Sequence, residues 1–142
     1  MKIKVYNQDQ VAMNQNHEIE VCFGTIEKPA KITGFKKVVV MGRSYAEVED
    51  CEHVVFERGS SGLATDCDDV VILTSKCVGC YGHTCVTAYN NAKVELYDNS
   101  YGTAHEKAVF FLDDNFEGTV KLYDLSECRL ITEENKGHID AY

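Results

Sequence analysis

The chain contains no tryptophan and a single proline, Pro29, and nowhere does it carry an apolar run approaching the roughly 18 residues that a membrane-spanning helix needs. Its opening residues, MKIKVYNQDQ, lack the apolar stretch of a secretory signal. Both absences lead to the expectation of a cytoplasmic protein. A surplus of positive charge is missing as well, since 14 Lys and Arg face 23 Asp and Glu for a net charge of −9. The imbalance is uneven: residues 1–37 carry six lysines against four acids, while residues 38–142 carry eight basic against nineteen acidic side chains, or −11. Such a field disfavours direct contact with nucleic acid and makes proteins that handle nucleic acid the natural partners. Cysteine, by contrast, is plentiful at seven. The odd count and the missing export signal favour reduced thiols over a disulfide framework.

Present instead is a period. From Val38 to Leu125 the chain can be written as consecutive octads without an insertion, among them VVFERGSS, VVILTSKC, VTAYNNAK, VELYDNSY and FFLDDNFE. The first column (Val38, Ala46, Val54, Gly62, Val70, Val78, Val86, Val94, Gly102, Phe110, Gly118) and the third (Val40, Val48, Phe56, Ala64, Ile72, Cys80, Ala88, Leu96, Ala104, Leu112, Val120, then Cys128) are apolar or small. Positions one and three of a strand share a face. The Asp and Asn residues that follow them, such as Asp50, Asp66 and Asn90, suit corners in left-handed backbone. A strand of three or four residues plus a corner cannot bury its own apolar face, so the units must stack into an all-β parallel solenoid. Similar residues recur best at sixteen, as in Asp50 with Asp66 and Thr87 with Thr103. That spacing favours two octads per coil and two facing sheets; three octads per coil, a triangular prism, is the alternative winding.

The segment AYNNAKVELYDNS resembles the V-x-A-Y-x-N-A octapeptide solenoids of bacterial and phage proteins. The resemblance spans Val38 to about Cys128 and is closest from Val86 to Ser100. It implies a β-helix and carries over no catalytic residue. Some small phage inhibitors of bacterial defence are acidic and a few are solenoidal, so the resemblance also implies an inhibitor role in a bacterial host cell; the acidic charge of the repeat adds the expectation of nucleic-acid mimicry.

The organisation expected is an N-terminal β cap over residues 1–37, with strands around Ile3–Val5 and Ile19–Phe23 and a polar loop between them, then the solenoid over 38–129 and a C-terminal cap or tail over 130–142. No Ser, His and Asp set has a readable spacing, and the octads leave no long loop to build a cleft, so no enzyme activity is expected.

Three groups remain as candidates for binding. The corner acids Asp50, Asp66, Asp98 and Asp114, with Glu49, Glu57, Glu106 and Asp113, form rows of fixed carboxylates for a basic partner protein. The outward Val39, Val55 and Val71 form an apolar stripe that calls for cover, by the N-terminal cap or by a second subunit. Cys77, Cys80, His83 and Cys85 have the donors of a zinc tetrad. The octad frame sets them apart, however, with Cys80 inward and Cys77 and Cys85 on different sides of the coil. Cys51, Cys67 and His83 share one column and are expected to stack at one corner.

Overall fold

The alternation within each octad calls for short strands buried on one face, and the computed structural model, which describes residues 2–130 and 138–141, is built of them. In chain order the elements are β1 (Lys2–Val5), α1 (Gln8–Met13), β2 (Glu18–Val21), β3 (Ala30–Thr33), β4 (Lys37–Val40), β5 (Tyr45–Glu49), β6 (His53–Phe56), β7 (Ser61–Thr65) and β8 (Asp69–Ile72). They continue as β9 (Cys77–Tyr81), β10 (Cys85–Ala88), β11 (Lys93–Leu96), β12 (Tyr101–Ala104), β13 (Val109–Leu112), β14 (Thr119–Leu122), β15 (Glu127–Leu130) and β16 (His138–Ala141). A nine-stranded sheet runs β1-β2-β4-β6-β8-β10-β12-β14-β16, and a seven-stranded sheet runs β15-β13-β11-β9-β7-β5-β3. All pairings among these strands are parallel. From β2 onward successive strands alternate between the sheets, so two octads make one coil and the triangular winding is ruled out. At about 4.8 Å per coil, nine strands span roughly 40 Å. No helix among the described residues is long and apolar enough to cross a membrane.

Both inward columns are buried from Val38 to Leu112. Their sizes compensate across the rod. Where the nine-stranded sheet presents Val54, Phe56, Val70 and Ile72, the seven-stranded one presents Ala46, Gly62 and Ala64. Further along, Val94, Leu96, Phe110 and Leu112 face Ala88, Gly102 and Ala104. A Cβ placed on Gly102 would lie 2.8 Å from Phe110 Cε2 and 2.9 Å from Leu96 Cδ1, so the large ring occupies the volume that the glycine leaves open.

The octad frame breaks once within the range it was read over. Gly102 pairs with Val120 and not with Gly118, and Phe110 pairs with Cys128, so these coils are two residues longer. Val120 and Cys128 therefore belong to the first column. Phe116 lies fully buried in this longer corner, at the side of the rod where Phe35, Cys51, Cys67, Thr84 and Ser100 fill the corners of the other coils. Phe35 is buried at its corner without any lengthening, so ring size alone does not account for the two extra residues. Gly118 has to pass beside Phe116, where a Cβ would come within 1.8 Å of Ser100 O.

The N-terminal strands extend the nine-stranded sheet end-on: Ile3 pairs with Ile19, and Ile19 with Val38. The segment expected as a polar loop contains α1. Its start is fixed locally, because Asn7 Oδ1 accepts from Gln10 N at 2.9 Å and Gln10 Oε1 accepts from Tyr6 N at 2.7 Å, a close relative of the reciprocal capping box. Buried Val11 anchors the helix, which packs against β1 and β3. The Gln8 carboxamide then completes the edge of β3 as a strand would, donating to Lys31 O at 2.6 Å and accepting from Lys31 N at 3.0 Å. At the other end β16 continues the nine-stranded sheet beside β14. The remainder of the expected C-terminal cap, residues 131–137 and 142, lies outside the described residues.

Compensation across the rod has a direct test. Gly102→Ala alone should cost about 1–3 kcal/mol by overpacking. In a Phe110→Leu background the same change should cost at least ~0.5 kcal/mol less, because the two sites share one volume. Denaturant unfolding of the four proteins in this cycle measures the coupling; strictly additive costs would refute it.

Candidate functional site

Two kinds of corner join the sheets, and they differ in charge. The chain crosses from the seven-stranded to the nine-stranded sheet at an edge carrying Glu49, Asp50, Glu52, Asp66, Asp68, Asp69, Asp98, Asp113, Asp114 and Glu117 against Lys36 and Lys37. The opposite edge is mixed, with Arg43, Arg58, Lys76 and Lys107 among Glu57, Glu106 and Asp124. Of the acids singled out from the sequence, Asp50, Asp66, Asp98, Asp114, Glu49 and Asp113 are brought together on the first edge. Glu57 and Glu106 sit on the other.

Part of this acid is structural. Asp50, Asp66 and Asp98 occupy left-handed backbone at φ 53°, 51° and 57°, a conformation that short polar side chains tolerate. Asp98 Oδ2 accepts from Gly82 N and Asp66 Oδ1 from His83 N, each at 2.9 Å. On the mixed edge Glu106 repeats the device, accepting from Asn90 N at 3.1 Å while its own N donates to Asp124 Oδ2 at 3.0 Å. Carboxylates thus tie the corners of neighbouring coils. Asp114 departs from the series: it lies in the longer corner that holds Phe116, is absent from the left-handed set, and keeps a buried Oδ1 without a hydrogen-bond partner among the described residues.

Val39, Val55 and Val71 line the outer face of the nine-stranded sheet and are half-buried, with Met41 and Leu73 beside them. The N-terminal strands do not cover this stripe, because they lengthen the same sheet and do not cross it.

The soft-ligand cluster is dispersed. Cys80 lies in the core, Cys77 faces outward on the seven-stranded sheet, Cys85 begins a strand of the nine-stranded sheet and His83 is an exposed corner residue. No group of three His, Cys, Asp or Glu among the described residues is arranged to hold a metal ion. Cys51 and Cys67 do share a corner, but His83 does not join them; Thr84 takes the inward place, its Oγ1 accepting from Cys67 N at 3.3 Å. The hydroxyl serves better there because it also donates to Tyr81 O at 2.7 Å.

Octad columns did not single out a cleft on the outer face of the seven-stranded sheet. Gly79 forms its floor, and a Cβ there would meet Leu63 Cδ2 at 2.9 Å and Tyr81 Cε2 at 3.2 Å. Tyr45, Ser61, Leu63, Lys76, Cys77, Tyr81 and Glu95 surround a volume of about 340 Å³. Glu95 organises the group: Oε1 accepts from Cys77 Sγ at 3.0 Å and Oε2 from Tyr97 Oη at 2.5 Å. Tyr97 in turn stacks on Tyr81 with ring centroids 4.2 Å apart and planes 7° from parallel. Burial, then the bond to Glu95 and its charge, push the Cys77 thiol up to about 12. The same causes hold the Tyr97 phenol above its ordinary range, and burial followed by the Glu47 carboxylate raises Tyr45. At neutral pH Cys77 and Tyr97 are therefore protonated donors to one carboxylate, Glu95. The sequence signal was the coincidence of Cys77, Gly79, Tyr81, Glu95 and Tyr97 in outward columns of adjacent coils, visible only once the winding is known.

No family model, no curated protein and no solved structure matches this chain. Its class rests on its own geometry: a two-sheet parallel β-solenoid.

Cys77 offers a check of the cleft. Although it is exposed, its thiolate should form only at strongly alkaline pH, so alkylation by iodoacetamide at pH 8 should be slow. Glu95→Gln removes the negative charge, lowers the pH at which the thiolate forms and should speed that labelling several-fold, as read by peptide-resolved mass spectrometry. Rapid labelling of Cys77 in the unmutated protein would contradict the geometry.

Proposed function

We propose that the protein is a non-enzymatic binding module that docks by its acidic edge on a basic, nucleic-acid-contacting surface of another protein. It inhibits that protein, a defence or DNA-handling factor in the cytoplasm of a bacterial host cell, by occupying the surface. One observation carries the reading, namely the segregation of carboxylates to one edge of the rod while the opposite edge is mixed. Asp50, Glu52 and Asp68 are exposed and make no side-chain hydrogen bond or ion pair among the described residues, so their charge is available. Asp66 and Asp98 are fixed by backbone donors. A line of charge held rigid by the fold requires little reordering on binding, and long Lys and Arg side chains adapt to it without a match of phosphate spacing.

A lysine-rich peptide is a suitable probe. Its affinity for the unmutated protein should fall steeply as ionic strength rises, and double-stranded DNA should compete for the peptide. Combining Asp50→Asn, Glu52→Gln and Asp68→Asn should weaken binding several-fold and flatten the salt dependence, whereas Glu57→Gln with Glu106→Gln on the other edge should leave it unchanged. Equal binding by the triple variant at every ionic strength would sink the proposal.

The uncovered valine stripe favours a second reading, a homo-oligomer formed face to face through Val39, Val55 and Val71. Under it, Val55→Lys should convert an oligomer to a folded monomer by light scattering with unchanged circular dichroism. An unmutated protein that is already monomeric would exclude it.

A further inference from the structure

We propose that the Glu95 cleft is a receptor for one guanidinium group, the side chain of an arginine on a partner protein. The carboxylate is negative, yet no cation pairs with it among the described residues; its partners are the neutral Cys77 thiol and Tyr97 hydroxyl, one on each oxygen. A carboxylate offers about four lone-pair sites, so each oxygen keeps a free one, and the two existing bonds fix the plane in which these lie. A planar fork of N–H donors answers that arrangement with two parallel bonds, while an ammonium engages it as a point charge.

The surroundings suit the same ion. Tyr45 and Tyr81 supply aromatic walls, on which a guanidinium stacks better than a strongly hydrated ammonium does. At Gly79, where neighbouring coils carry Leu63 and Glu95 in the same column, the missing side chain lets Leu63 and Tyr81 lean over the backbone and form an apolar floor beside the carboxylate. A volume of about 340 Å³ is at the small end of ligand cavities and takes one long side chain. Lys76 stands at the rim, exposed, where its ammonium is a mild competitor. The net charge of −9 draws cations toward the rod as a whole. This cleft lies on a sheet face and not on the acidic edge, so the two assignments fail separately.

The experiment is a titration followed by amide NMR, using Nα-acetyl-arginine methylamide and two analogues, the isosteric but uncharged citrulline and the lysine compound. The arginine compound should shift the amides of Gly79, Tyr81 and Glu95. Citrulline should bind at least ten-fold more weakly and lysine several-fold more weakly. Glu95→Gln should weaken arginine binding at least ten-fold, and the triple variant of the acidic edge should bind it unchanged. Citrulline binding as tightly as arginine, lysine binding more tightly, or shifts confined to the acidic edge would each overturn the proposal. The ligand comparison is made on the unmutated protein, so it decides the matter even where Glu95→Gln fails to fold.

Discussion

A coil of this solenoid buries nothing until a second coil lies on it, and that dependence governs every other feature of the molecule. Each inward side chain must share its column with the residues above and below and its cross-section with the opposite sheet. Gly102 against Phe110 and Leu96 is one outcome of that constraint, a small residue where the opposite sheet carries large ones. Polar backbone at the corners obeys the same rule in another currency. Asp66, Asp98, Glu106 and Asp124 each accept a backbone N–H from a neighbouring coil, so the stack is tied at its rims as well as through its core.

That constraint is also why so much was legible beforehand. Inward columns from Val38 to Leu112 could be read because burial on one face forces a period of two within a strand and a period of eight between corners. The sixteen-residue recurrence of Asp50 and Asp66 gave the two-sheeted winding, confirmed by the pairing of Val54 with Val70. The frame slips between Leu112 and Val120, where the corner is two residues longer, because the apolar-or-small pattern of Gly118 and Val120 also fits the uninterrupted octad. The reading failed as well at Asn7–Asn16, where a local hydrogen-bond exchange between Asn7 and Gln10 outweighs a polar composition. The Glu95 cleft stayed hidden for another reason: its members come from separate coils, and nothing along the chain marks Tyr45, Cys77 and Glu95 as neighbours.

Charge on this rod performs two tasks that a count of acids does not separate. Corner carboxylates bonded to backbone N–H groups serve the fold, and exposed ones such as Asp50 and Asp68 add to the field without serving it. Asp66 and Asp68 share one corner, so the bond from His83 N to Asp66 also steadies the backbone that carries the exposed Asp68.

The Gln8 carboxamide seated on β3 has a wider consequence. A stack of identical parallel strands is the arrangement of a fibril, and an unsatisfied terminal strand is a template on which another chain can continue the growth. Here one side-chain amide occupies the donor and acceptor of Lys31 on β3, and β1, at the same end of the other sheet, carries exposed Lys2 and Lys4. The chain thus shares the hydrogen-bond order of amyloid, and at the edge of β3 a side chain, not a further strand, takes up the N–H and C=O of Lys31.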